Sequence, residues 1–206
     1  MLVPQTRSLK TVFFLAFLFL SFGIMAQGGG FRAKAILGVN ASQIDGDLLV
    51  GFDKLGISGG AGLSYTSNSV FDVSVEFLYS RRGARSSLFG SDSATVNLTL
   101  NYLELPVIFS IRDWFIEDGD YYRVRLDGGL SVGNLFNADL TDIGVDEARL
   151  RNIDLSFLIG AGYRFNKNVG IGLRYTRALR KVFLDSALPG GGLRSYFWTF
   201  RTEFFF

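Results

Sequence analysis

Hydrophobic and polar residues alternate with a period of two along most of the chain after residue 30. Successive side chains of a β-strand point to opposite faces of a sheet, so this alternation predicts strands with one apolar and one polar face. The pattern is clearest in residues 71–80, 122–132, 153–164 and 169–175, and eight such segments can be recognised. Polar turns separate them, which favours an antiparallel sheet.

The fourth segment departs from this alternation once. Apolar residues occupy even positions from Val96 to Tyr102 and odd positions from Leu103 to Ile111. One extra residue near Tyr102 and Leu103 would keep both stretches on the same face, so we expect a β-bulge there.

Connections between the segments alternate in length. Residues 66–69 and 166–168 are short turns and residues 113–120 form a slightly longer one, whereas the long connections are polar or Gly-rich and span residues 41–54, 84–95, 134–152 and 181–193. Short turns at one end and long loops at the other are typical of outer-membrane barrels. The pattern therefore predicts an all-β, eight-stranded, antiparallel up-and-down transmembrane β-barrel with both termini at the periplasmic end.

Alternation alone does not decide whether the apolar face meets lipid or lines a ligand cavity, as in a soluble lipocalin-type barrel. The polar face combines Gly and Ser with long charged side chains, which can fill the narrow interior of an eight-stranded barrel; rows of Phe and Tyr would overfill it. Its charges nearly balance, as buried ions require. We therefore predict a lipid-facing apolar surface and an interior ion-pair network of Arg32, Lys34, Asp72, Glu76, Glu104, Arg123, Arg125, Asp127, Asp154, Arg164, Arg174, Arg201 and Glu203.

The N-terminus has the features of a secretory signal. Arg7 and Lys10 precede an uncharged apolar run of 14 residues, residues 11–24. A spanning helix needs roughly 20 residues, which argues against the alternative of a single-pass anchor. We expect cleavage after Ala26, which makes residues 1–26 a signal peptide and residues 27–206 the barrel domain.

Composition limits the chemistry that the chain can perform. It contains no His and no Cys, and its formal net charge is +2. Disulfides, thiol nucleophiles, Ser-His-Asp arrangements and His/Cys zinc sites are therefore excluded. Asp72 and Glu76 could be imagined as an acid/base pair, but we interpret them as partners of interior arginines. We predict no enzymatic activity, no cofactor, no metal site and no nucleic-acid partner.

Several short motifs, in their order and spacing, resemble the PorT-type family of outer-membrane β-barrels. They are residues 38–42 (GVNAS), 76–83 (EFLYSRRG), 102–106 (YLELP), 160–163 (GAGY) and 173–176 (LRYT). The resemblance implies an eight-stranded barrel in the outer membrane of a diderm bacterium. The chain end also resembles the C-terminal signal that the barrel-assembly machinery recognises, with aromatic residues at Trp198, Phe200, Phe204 and Phe206.

These observations favour a structural or interaction barrel that presents exposed loops and forms no open pore. Its expected partners are outer-membrane lipid, the barrel-assembly machinery during biogenesis and an envelope protein contacted through the outer loops, of which the acidic loop at residues 134–152 is the first candidate. Two alternatives remain: a barrel that binds a small ligand or lipid, and an accessory component of a protein-secretion apparatus.

Overall fold

The computed structural model describes residues 30–45, 54–66, 70–85, 97–139, 151–181 and 194–206. These residues form eight strands: β1 (Phe31–Asp45), β2 (Lys54–Thr66), β3 (Phe71–Arg85), β4 (Asn97–Ile116), β5 (Tyr121–Asp139), β6 (Ile153–Arg164), β7 (Val169–Ala178) and β8 (Arg194–Phe205). Each strand pairs antiparallel with its neighbours in sequence, and β1 also pairs with β8. The sheet is therefore a closed up-and-down barrel, which confirms the predicted fold.

Several strands are longer than the alternation predicted. β4 ends at Ile116 and β5 begins at Tyr121, so the connection predicted at residues 113–120 is shorter than expected. It consists of the 3₁₀ turn Glu117–Gly119 followed by Asp120, whose backbone is left-handed with a φ of 50°. β5 continues to Asp139, so the acidic connection predicted from residue 134 begins later. The predicted signal peptide and most of the four long connections lie outside the described residues. No helix in the part of the chain that the structure describes is long and apolar enough to cross a membrane.

The β-bulge lies in β5 rather than in β4. Asn101 and Tyr102 of β4 pair with Asn137 and Leu135, so Phe136 is the additional residue. β4 itself keeps one alternation, with buried residues at even positions from 100 to 112. The prediction placed the bulge within about one residue of its position but was wrong about the strand and the face. Tyr102 points into the barrel, where its ring packs against a buried arginine, and hydrophobicity alone could not reveal that partner.

The two faces of the wall have the orientation that the sequence predicted. Large apolar side chains cover the outside, such as Phe109 (63% exposed) and Leu126 (61%), whereas the inner face carries Gly, Ser and charged residues, including Glu76 (1%). This surface would be unfavourable in water but matches the apolar band of a membrane barrel. One part of the interior differs from the prediction, because a group of apolar side chains is buried inside the bore: Ile36, Leu78, Ile108, Leu158 and Phe197.

Aromatic rings contact one another near both ends of the barrel. At the end with the short turns, Phe31 packs against Tyr65 with their ring centroids 5.0 Å apart, and a second such pair joins β4 and β5. At the opposite end, the rings of Tyr175 and Trp198 have centroids 5.1 Å apart. Aromatic girdles of this kind are typical of the two membrane–water boundaries of outer-membrane barrels.

Candidate functional site in the barrel interior

A cluster of ion pairs around Glu76 crosses the middle of the bore. Its carboxylate lies 2.6 Å from Lys34 Nζ and 3.0 Å from Arg174 Nη1. Arg201 donates two hydrogen bonds to it, of 2.6 and 2.9 Å. These four residues belong to β3, β1, β7 and β8, and each occupies an inward position in the alternation of its strand. One buried carboxylate therefore ties four strands together.

The network continues through Glu203 towards the end of the barrel with the short turns. This carboxylate lies 2.7 Å from Arg201 and also pairs with Arg125, whose Nε is 3.1 Å from Asp127. Because Arg201 touches both Glu76 and Glu203, the two groups form one continuous chain of alternating charges. Buried ions of this kind retain their charge only when opposite charges and hydrogen bonds replace water.

A second cluster occupies the outer half of the bore, around Arg82. The guanidinium lies 2.7 Å from Glu104 and 2.9 Å from Asp154. It is also sandwiched between two rings, with the centroids of Tyr102 and Phe197 at 4.3 and 4.4 Å. Cation–π contacts of a desolvated guanidinium add to the ion pairs. The inward orientation of Tyr102 therefore has a clear role in holding Arg82.

Little space remains between the two clusters. A cavity in the middle of the bore has a volume of about 20 Å³. That volume suits about one water molecule. Its lining combines apolar side chains such as Ile36 and Leu158 with charged groups from both clusters, including Glu104 and Arg174. The interior is thus packed like a protein core in which the polar side chains are ion-paired.

The structure brings most of the predicted interior residues together. Ion pairs include Lys34, Asp72, Glu76, Glu104, Arg125, Asp127, Asp154, Arg174, Arg201 and Glu203. Arg32, Arg123 and Arg164 lie outside these clusters, at the end of the barrel with the short turns. The guanidinium of Arg164 stacks 4.0 Å from the ring centroid of Phe205, and that of Arg123 lies 5.0 Å from Trp114. Near the strand ends, these three arginines make no ion-pair contact with the described buried carboxylates.

Among the side chains that the structure describes, three interior cations were missing from the predicted set. Arg82 anchors the outer cluster, Arg112 pairs with Asp72 at 3.1 Å, and buried Lys54 donates a hydrogen bond to Thr99. Arg82 lies two residues beyond the predicted segment 71–80, and Arg112 directly follows Ile111, the last apolar residue predicted in the fourth segment; both continue the inward alternation of their strands. Extending each strand by two residues would have found both of these arginines.

The interior carboxylates are arranged as counter-ions. Asp72 pairs with Arg112 and Glu76 pairs with three other cations, so the two do not act on a shared proton. Within the described ranges there is no group of three or more His, Cys, Asp or Glu residues that could hold a metal ion. What the arrangement accomplishes is to fix strands to one another and fill the bore.

The comparisons agree with this architecture. A family model described as "Outer membrane protein beta-barrel domain" matches residues 25–184. The chain belongs to this family. The outer-membrane barrel is also similar to Ail, the attachment invasion locus protein of Yersinia pestis, with a TM-score of 0.50 at 16% identity over 86% of this chain and 99% of Ail.

Neisserial surface protein A gives a TM-score of 0.50 at 17% identity, over 85% of this chain and 97% of that one. These identities are low, so the two structures support the fold alone. No curated protein matches the sequence. Membership of this family places the chain in the bacterial outer membrane.

Proposed function

We propose that the protein is a non-conducting barrel with a structural or interaction role, which holds its long outer connections at the bacterial surface. The observation that carries this proposal is the filled bore. Ions cross a membrane barrel through a continuous aqueous path, and wide porins with 16 to 18 strands provide one. In this barrel, two ion-pair clusters and an apolar group occupy the interior, and the cavity between them measures about 20 Å³.

Several finer features belong to the same proposal. We expect export through a signal peptide cleaved after Ala26, and a mature domain of residues 27–206 that resembles PorT-type barrels. Trp198, Phe200, Phe204 and Phe206 all lie on the outer face of the last strand and the chain end, with Phe206 74% exposed. That position makes them accessible to barrel-assembly machinery before the sheet closes. A role as an accessory of protein secretion remains the rival hypothesis.

Planar-bilayer recording tests the absence of a pore. We expect the purified protein, inserted at high copy number, to give no steady conductance, with a porin as the positive control. A shift in electrophoretic mobility between boiled and unboiled samples must show that the same preparation is folded. Stable, reproducible channels from folded protein would overturn the proposal.

Site-specific photocrosslinking tests the interaction role. A crosslinker at Asp139, at the outer end of β5, should capture an envelope partner in intact cells, whereas one at Glu117 in a periplasmic turn serves as the matched control. Capture of a secretion component would favour the accessory hypothesis. Absence of any product at the outer end, in cells where the barrel is folded, would leave only a structural role.

A further inference from the structure

A cavity of about 450 Å³ opens at the periplasmic end of the barrel. This volume falls within the range of about 300–1,000 Å³ that is typical of small-molecule sites. Three arginines from three different strands line it, namely Arg32 of β1, Arg112 of β4 and Arg164 of β6. Aromatic rings complete the lining, among them Phe115 and Tyr122. The cavity therefore combines concentrated positive charge with flat apolar surfaces.

Two of these arginines make no ion-pair contact with any carboxylate in the part of the chain that the structure describes. Arg112 pairs with Asp72 at 3.1 Å, and its guanidinium lies 4.4 Å from the ring centroid of Tyr122. In contrast, no carboxylate of the described residues is in ion-pair contact with Arg32 or Arg164. Arg164 is partly buried and stacks on Phe205. Arg125 and Arg32 repel its charge, while Glu203 and Asp72 attract it without making an ion-pair contact. A partly desolvated cation with like charges nearby is electrostatically unfavourable unless an anion joins it.

Within the described ranges, every interior carboxylate makes its ion pair with a cation other than Arg32 and Arg164. The six described carboxylates on the inner face are already paired with other cations: Asp72, Glu76, Glu104, Asp127, Asp154 and Glu203. Asp120 borders the cavity, but this residue is exposed in the periplasmic turn. The excess of positive charge at this end is therefore available to an anion from outside the chain.

We propose that this cavity binds a small organic anion from the periplasmic side, with a carboxylate or phosphate group held by Arg32 and Arg164. Planar guanidinium groups bind the oxygens of either group in a bidentate manner, and such charge-assisted hydrogen bonds are stronger than neutral ones. The aromatic rings would pack against the apolar part of the ligand. This inference is independent of the non-conducting role, because a barrel with an empty site would also fail to conduct.

Calorimetric titration of the folded barrel in an uncharged maltoside detergent tests the proposal. Phenyl phosphate and benzoate supply a ring with an anionic group, inorganic phosphate supplies the anion alone, and benzyl alcohol is the neutral analogue. We expect saturable one-to-one binding of phenyl phosphate or benzoate, weaker binding of inorganic phosphate and none of benzyl alcohol. Absence of saturable binding by both ring-containing anions would overturn the proposal.

Arginine variants locate the site. Arg164→Gln and Arg32→Gln should each weaken binding about tenfold or more, as expected for the loss of a charge-assisted hydrogen bond. Arg180→Gln, at an exposed arginine near the opposite end, is the matched control and should leave the affinity unchanged. A merely structural role predicts destabilisation, whereas removal of an unpaired cation should preserve or raise the resistance to urea. Unchanged affinity in both site variants would refute the assignment.

A nanodisc titration distinguishes the two possible sources of such an anion, which are the headgroup of a membrane lipid and a soluble periplasmic compound. In nanodiscs of phosphatidylglycerol, a lipid phosphate at the cavity would compete with phenyl phosphate and weaken its apparent binding relative to detergent. Equal affinity in both media would assign the site to a soluble periplasmic ligand. In either case, the affinity should remain sensitive to Arg164→Gln, and loss of that sensitivity in the nanodisc would contradict the proposal.

Discussion

Neutralisation of Glu76 is the sharpest test of the interior network. This side chain is 1% exposed and meets Lys34, Arg174 and Arg201 at 2.6, 3.0 and 2.6 Å. Glu76→Gln keeps nearly the same volume and removes one charge. Arg201 would retain Glu203 as a partner at 2.7 Å, whereas Glu76 is the only carboxylate within the described residues that pairs with Lys34 and Arg174. The variant thus buries two cations close together that have lost their ion-pair partner.

Removal of one partner of a buried ion pair costs about 3–5 kcal/mol because the remaining charge loses its compensation. For Glu76→Gln we therefore expect the free energy of unfolding to fall by at least about 3 kcal/mol, which raises the unfolded population more than 100-fold. Addition of Lys34→Met removes one of the stranded charges, so the double variant should recover part of this loss.

Urea titration in lipid vesicles, followed by the fluorescence of Trp114 and Trp198, measures this free energy by linear extrapolation. Glu117→Gln, at an exposed glutamate in the periplasmic turn, is the matched control and should change it by less than about 0.5 kcal/mol. If Glu76→Gln is as stable as the control, then water or counter-ions must already screen the cluster. The description of the bore as a dry, ion-paired core would then be wrong.

Two further predictions concern the wall. Gly129→Ala should destabilise the barrel by about 1–3 kcal/mol or prevent its folding, because a Cβ there would lie 2.2 Å from the carbonyl oxygen of Val107. Gly128 has open space around it, so Gly128→Ala is the matched control. In the same urea titration, this control should change the free energy of unfolding by less than about 0.5 kcal/mol. Leu130→Arg should lower the free energy of unfolding by about 2–4 kcal/mol, because Leu130 is 53% exposed on the outer face midway along β5. Leu130→Met should leave it nearly unchanged. Equal stability of the two variants would show that this face does not meet lipid.

The sequence was sufficient to predict the fold because the physical requirement is repetitive. Along every strand of a lipid-embedded barrel, side chains must point alternately to lipid and to a filled interior. All eight strands of this chain therefore show the same alternation of apolar and polar residues. The inner face was predicted correctly wherever charged residues or serines marked it, as at Glu76 and Arg174. The prediction of the inner face was wrong at Leu100 and Tyr102, where apolar side chains face inward and pack within the outer end of the bore.

The choice of ion-pair partners could not be predicted from one sequence. Glu76 and Arg174 are 98 residues apart, and they meet because of the stagger and tilt of the strands around the barrel. The bulge at Phe136 shifts the register of β5 relative to β4 by one residue, which no local pattern near Tyr102 specified. The periplasmic cavity depends on the same three-dimensional convergence, since its arginines come from β1, β4 and β6.

The seam between β1 and β8 determines how the sheet can be completed. All other pairings join strands adjacent in the chain, whereas this one joins Lys34 to Phe205 across nearly the whole domain. Before the seam forms, the first and last strands each present a row of amide and carbonyl groups that hydrocarbon cannot satisfy. A half-built sheet is therefore unstable in the bilayer core, and insertion and closure of this barrel must be coupled.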